Sequence, residues 1–265
     1  MLRKLAGSVK LWRALWLCVG LGLALPAAAG VVTLRADPWF PYNGDPDSPL
    51  PGYMIEIARY AFARGGHRLD YQLLPWQRSV DEVLRGRFDC VVGVHRANGR
   101  PLLYPEESLG HMDEAFFALR EMPPWRYRST ADLRDKVVAV IGGYRYGDVL
   151  DAYIAELADT RSVYVANGEA ALERNIKMLL AGRVDLVLEA PYVFAAKARE
   201  MGVMDRVKEV DRVGDPEDLF IACSPVKDTS EEYLRLLDEG IRELRETGEL
   251  QRILDKYGVE DWKSP

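Results

Sequence analysis

The chain reads as an α/β protein of two similar lobes with a cleft between them, each lobe a mostly parallel sheet flanked by helices. Three observations predict this: a phrase that occurs twice, a regular alternation of strand-like and helix-like segments, and a tail too poor in strands to bury itself. The phrase is L-x-G-R-x-D-x-V-x, read as LRGRFDCVV at residues 84–92 and as LAGRVDLVL at residues 180–188, 96 residues apart. In each copy the Gly lies just past a helix-like stretch and stops it. The apolar run after each Asp is short enough for a buried strand. One helix–turn–strand unit therefore occurs in each half, and a cleft between two such lobes is where small molecules bind.

The alternation is regular. Residues 31–36 read as a strand, followed by the Pro-rich loop DPWFPYNGDPDSP. Met54, Ile57, Ala58 and Ala61 then share one helical face that ends at Gly65 and Gly66. A strand at 69–74, a helix at 79–85 and a strand at 89–94 complete the first half. The second half repeats the order: strand 136–141, helix 146–158, strand 162–165, helix 170–181, strand 185–188, helix 192–200. Such alternation implies parallel sheets joined by crossovers.

The tail offers one strand at 219–223, a capping-box pattern at Thr229-Ser-Glu-Glu232, and the apolar stripe Leu234, Leu237, Ile241, Leu244. A last helix carries Leu250, Ile253, Leu254 and Tyr257. One strand and two helices must pack on a lobe already made.

The amino-terminal 29 residues have the three parts of a secretory leader: basic Arg3, Lys4, Lys10 and Arg13, an apolar core over 14–25, then Pro26 before Ala27-Ala28-Ala29. The core has 12 residues, short of the roughly 18–20 that span a bilayer as a helix. Leu17 stands before Cys18 where a lipobox needs a small residue. Cleavage near Gly30 leaves 31 Lys and Arg against 41 Asp and Glu, a net charge of −10. A chain so acidic lacks the basic stripes that nucleic acid requires. Cys90 and Cys223 could form one bridge in an oxidising compartment or remain two buried thiols.

Several phrases carry a resemblance: Gly52-Tyr-Met-Ile-Glu-Ile (relatives read G-F-D-V-D-L), Leu74-Pro-Trp-Gln-Arg78, the two G-R-x-D-x-V units, VAVIGGYRYG at 138–147 and IRELRETG at 241–248. In this order and spacing the chain resembles the family 3 periplasmic solute-binding proteins of ABC importers, the polar amino-acid-binding kind, over nearly its whole mature length. The resemblance implies a two-lobe periplasmic-binding-protein fold of type II with two hinge strands, crossing near Ala118 and Leu219. It divides the chain into a signal peptide (1–29), a first lobe (30–118), a second lobe (119–218) and a return to the first (219–265). A periplasmic, monomeric receptor is expected, with no cofactor and no metal.

The resemblance also proposes a ligand site. Trp39 and Trp76 fall where relatives place aromatic walls, with Tyr42 a third; Trp39 could equally anchor its own loop and Tyr42 plug it into the core. Arg100 matches the Arg that clamps a ligand α-carboxylate, a task suited to a guanidinium fork. Arg96 stands where relatives have a hydroxyl, and Arg78 is a further cation near the aromatic wall. In the second lobe, the turn Gly142-Gly143-Tyr144-Arg145 joins a strand to a helix and can turn backbone N–H groups towards a ligand. Relatives pair the ligand ammonium with an Asp where this chain has Ala190, so Glu189 either supplies that charge from one residue earlier or the ligand has no α-ammonium.

Enzymatic signatures are absent from the sequence. His67, His95 and His111 lack metal-ligand spacing, and neither a G-x-S-x-G elbow nor a dinucleotide fingerprint occurs. Some proteins of this fold are dehydratases that use a cleft carboxylate, a role only Glu189 suggests. The expectation is a non-enzymatic receptor for one small polar solute, an amino acid or other carboxylate, serving an ABC importer or a membrane sensor.

Overall fold

The computed structural model describes residues 30–96, 99–158, 160–168 and 170–263; the expected leader lies outside them. Two α/β lobes share one eight-stranded sheet. The first holds β1 (Val31–Ala36), α1 (Tyr53–Arg64), β2 (Arg68–Leu73), α2 (Trp76–Leu84) and β3 (Cys90–Val94). A long strand, β4 (Gly110–Leu119), crosses to the second lobe. There follow β5 (Val138–Ile141), α3 (Asp148–Leu157), β6 (Val163–Ala166), α4 (Ala171–Leu180), β7 (Leu186–Glu189) and α5 (Pro191–Glu200). The chain returns along β8 (Val207–Cys223) and closes with α6 (Ser230–Glu246) and α7 (Glu249–Asp255).

The strand order is β2-β1-β3-β8-β4-β7-β5-β6. Within each lobe the outer pairs, β1 with β2 and β3, β5 with β6 and β7, are parallel. The centre is antiparallel, because the two crossing strands β4 and β8 run against each other and against β3 and β7. Among the described residues no helix is long and apolar enough to cross a membrane.

The twice-written phrase does the same physical job in both lobes. Asp89 Oδ2 accepts hydrogen bonds from Thr33 N at 2.7 Å and Thr33 Oγ1 at 2.6 Å, tying the start of β3 to β1. Asp185 Oδ2 accepts one from Val137 N at 2.7 Å, tying the start of β7 to β5. Each Asp satisfies backbone donors that the parallel ladder leaves open.

The tail packs on the first lobe. Leu234, Leu237, Ile241 and Leu244 of α6 are all buried. Full burial of such a side chain is worth about 2 kcal/mol, so this stripe docks the helix more strongly than propensity could. Gly240 lets α6 approach α1 closely, since a Cβ there would lie 2.6 Å from Ala61 Cβ. Cys90 and Cys223, opposite each other on β3 and β8, form a disulfide and resolve the open alternative in favour of the bridge.

Three local expectations change. Thr229 does not cap α6 with its side chain: its backbone is already helical (φ −80°, ψ −12°) rather than extended as a cap requires, and Ser230 Oγ instead donates to Ser224 O at 2.6 Å. The return strand begins at Val207 rather than 219, because the polar stretch before Leu219 gains its structure by pairing along β4, with an irregularity that sets Gly214, Asp215 and Pro216 outside the ladder. Residues 110–119, for which the sequence supplies only a crossing near Ala118, form that partner strand.

Candidate functional site between the lobes

Parallel strands present their carboxyl ends to the cleft, where ligands of α/β sheets collect. Asp37 and Trp39 follow β1, Trp76 follows β2, His95 follows β3, Tyr144 follows β5, and Glu189 ends β7. From the middle of β4 come Met112 and Glu114. Most of these side chains line a pocket of about 450 Å³, mouth included. It opens past His95, Met112, Glu114 and Arg145 into a wider cavity of about 1270 Å³.

Among the described residues, two side-chain hydrogen bonds span the cleft. Tyr144 Oη donates to Asp37 Oδ2 at 2.8 Å, and Trp39 Nε1 donates to Glu189 Oε1 at 3.2 Å. The turn around Gly143, at φ +83°, faces the ring of Trp76 and the amide of Gln77, so it brings the second lobe against the amino end of α2. Gly93, at φ +81° beside the register shift in β3, lies under the Trp39 ring.

Trp39 is buried and stacked on Tyr42, centroids 4.3 Å apart. Its loop is held by Trp39 N donating to Asn43 O at 2.8 Å and Asn43 Nδ2 donating to Asp37 O at 2.5 Å. Tyr42 lies behind it and donates to His111 O at 3.0 Å; it does not line the pocket.

The electrostatics are dominated by carboxylates. Burial raises Asp37 to about 6, partly opposed by the Tyr144 hydroxyl. Burial likewise raises Glu189 to about 7, against the Ala190 N–H (2.9 Å) and the Trp39 indole that both donate to its Oε1. Glu114 is pushed well up by burial and then by the charges of Glu189, Asp113, Glu217 and Asp151. The second oxygens of Glu114 and Glu189 are buried without hydrogen-bond partners. His95, pulled down to about 4 by burial, is neutral at physiological pH; its Nδ1 comes within 3.3 Å of Glu217 Oε2 without hydrogen-bond geometry. Arg145 lines the pocket but is paired with Asp148 at 3.0 Å and Asp151 at 2.9 Å.

Of the residues singled out in the sequence, the structure brings Trp39, Trp76, Tyr144 and Glu189 together. Arg78 is exposed on α2 and lines none of the cavities described. Arg96 donates to Pro105 O and lies over the Phe220 ring at 4.7 Å, away from the pocket. Arg100 is half-buried over the ring of Trp76 at 5.8 Å, beside the pocket wall rather than in its lining. Sequence reasoning passed over Asp37, Asn43, Met112 and Glu114. Glu114 carried a signal, a carboxylate beside the apolar run Ala115-Phe116-Phe117-Ala118.

No protein-family model matches this sequence, and no curated protein matches it. Solved structures do. A histidine kinase sensor domain with similarity to periplasmic binding proteins superposes with a TM-score of 0.69 at 23% identity, covering 88% of this chain and 96% of that one. A structure from work on glutathione import via GshT and the cystine ABC importer TcyBC of Streptococcus mutans gives 0.71 at 18%, covering 87% and 96%. An ancestral arginine-binding protein bound to glutamine gives 0.69 at 18%, covering 87% and 99%. At such identities the likeness is one of architecture, and it extends over almost the whole of each neighbour: this chain has the two-lobe fold of the periplasmic binding proteins.

Proposed function

We propose that this protein is a periplasmic solute-binding receptor that closes its lobes around one small polar molecule and presents it to the membrane subunits of an ABC importer. The observation that carries the reading is the pocket itself, built from the carboxyl ends of strands in both lobes and bridged by Tyr144–Asp37 and Trp39–Glu189. A solute contacting both lobes would favour the closed arrangement by its differential affinity for it. The leader-like first 29 residues and the Cys90–Cys223 bridge support export to an oxidising compartment. A monomer that binds without catalysis follows from the same reading.

A second reading is favoured by one observation, the likeness to a kinase sensor domain: the receptor would report its solute to a membrane sensor instead of a permease. The dehydratase reading rests on Glu189 alone and predicts product formation from a prephenate-like substrate.

The test is thermal unfolding against amino acids, di- and tricarboxylates, polyamines and opines. A ligand at 100 times its dissociation constant adds about 2.7 kcal/mol, which for a chain of this size raises the midpoint by roughly 5–10 °C. A selective rise that Trp76→Ala abolishes while leaving the ligand-free protein folded supports the receptor. A rise unaffected by Trp76→Ala and Trp39→Ala would move the site elsewhere.

A further inference from the structure

We propose that the inter-lobe pocket is built for an organic cation, an ammonium or guanidinium group on a compact body, rather than for a free carboxylate. This rests on the receptor reading and deepens it. Four observations converge on it.

The charges come first. Asp37 and Glu114 line the pocket, and among the described residues neither has a salt-bridge partner. The lining cation, Arg145, is held by Asp148 and Asp151, and His95 is neutral. A carboxylate entering here would face two acids, with the lining cation already paired; a cation would face two acids with open acceptor sites.

Those acceptors are the second observation. An ionised carboxylate offers about four lone-pair sites. Asp37 has one side-chain donor, the Tyr144 hydroxyl. Glu114 Oε2 is buried and unpartnered. Glu189, 1% exposed, stands behind the Trp39 indole rather than in the pocket lining; it uses Oε1 for Trp39 and Ala190 while Oε2 has no partner. A buried acceptor left open costs free energy, and an N–H donor from a ligand removes that cost.

The third is the walls. Trp39, Trp76 and Tyr144 are aromatic, and their faces attract desolvated cations. The fourth is position: Arg100 and Arg96, the guanidiniums expected to clamp a carboxylate, are engaged with Trp76 and with Phe220 and Pro105. Among the described residues no three His, Cys, Asp or Glu side chains converge as a metal site requires, so the donor set suits N–H groups spread over several ångströms.

A cation must find these carboxylates ionised, so its binding releases protons. The titratable groups around Glu114 and Glu189 are Asp37, Asp113, Asp151, Glu217, Tyr42, Tyr144, Tyr146, His95, Arg145 and, through Asp113, Arg212. Asp113 and Asp151 are paired with Arg212 and Arg145, and burial keeps the phenols neutral, so the preference for a cation comes from Asp37, Glu217 and the two glutamates.

The experiment is calorimetric titration of the purified protein with agmatine, putrescine, L-glutamate, citrate and calcium chloride at pH 6 and pH 8. Either amine should bind at least 100-fold tighter than glutamate or citrate, tighter at pH 8 than at pH 6, with a heat that depends on the buffer's ionisation enthalpy. Glu114→Gln and Glu189→Gln, each near-isosteric and each checked for cooperative unfolding and native circular dichroism, should weaken the amine at least 10-fold. Glutamate or citrate binding more tightly than the amines overturns the cation and leaves the receptor standing, and calcium binding more tightly overturns the organic cation. If no organic compound of either charge binds, the cation and the receptor reading both fall. Amine binding that neither Gln variant weakens overturns the pocket assignment.

Discussion

Carboxylates occupy both ends of these strands, and the two ends treat them differently. At the amino ends, Asp89 and Asp185 are tied to the neighbouring strand: Thr33 and Val137 donate to them, and Lys227 pairs with Asp89. At the carboxyl ends, Asp37 and Glu189 are held well above the ordinary carboxylate range, and Glu189 keeps an oxygen with no donor. The same chemical group is mortar at one end and an unfilled acceptor at the other. The difference lies in where free backbone donors sit. At the amino end of a parallel strand an Asp meets N–H groups of the neighbouring strand. At the cleft few donors are at hand, the Tyr144 hydroxyl for Asp37 and the Trp39 indole and Ala190 N–H for one oxygen of Glu189, and the other oxygen is left open.

The sharpest way to break this comparison is Asp89→Ala. It strips Thr33 N and Oγ1 of their acceptor and leaves Lys227 unpaired, at a residue 4% exposed. Buried donors left unsatisfied cost about 1–3 kcal/mol each, so a loss of about 3 kcal/mol in urea unfolding is expected. A loss below about 1 kcal/mol would show that water replaces the carboxylate and that the amino end is not the rigid one.

The next effect has the opposite sign. Glu114 and Glu189 are both raised above their unfolded values near 4.5, Glu189 to about 7, so between about pH 4.5 and 7 Glu189 holds a proton in the folded state that it has lost in the unfolded one. Their contribution is fully favourable below about pH 4 and is lost as pH rises through the folded values. Without ligand, the melting temperature of the parent should therefore fall between pH 5 and pH 8 relative to that of Glu189→Gln, whose amide does not titrate. Parallel curves for the two proteins would mean that Glu189 is solvated and not the strained group described.

How much of this was legible in the sequence follows from which forces act locally. The paired Asp residues, the α6 stripe and the strand–helix alternation are read from spacing, because neighbours in the chain become neighbours in space. The halves of the pocket were legible singly, Trp39 and Trp76 in one lobe, Tyr144 and Glu189 in the other. That Trp39 donates to Glu189, 150 residues away, is a property of the closed cleft that no local pattern encodes. Glu114 was hidden for a related reason: it sits in the mixed polar start of β4, just before the apolar run Ala115-Phe116-Phe117-Ala118, where the chain is a strand through its pairing with β8. Arg96 stood out in the sequence for its charge at the place of a hydroxyl, while the aromatic ring it covers lies 124 residues further on, beyond any local pattern.

The smallest expected effect is also the most discriminating. Asp185 repeats Asp89 in sequence and in geometry, with the same 2.7 Å bond to a backbone N–H, but it is exposed and has no lysine. Solvent can reach Val137 N when the side chain is removed, so the donor is rehydrated rather than stranded. Asp185→Ala should cost about 0.5–1.5 kcal/mol in urea unfolding, the ordinary worth of one hydrogen bond. It should leave ligand affinity unchanged, because Asp185 sits at the opposite end of β7 from Glu189. Equal losses for Asp89→Ala and Asp185→Ala would mean that the shared phrase sets stability whatever the burial. A change in affinity on Asp185→Ala would mean that the two ends of β7 are coupled along the strand, and the division between a paired end and an open one would no longer hold.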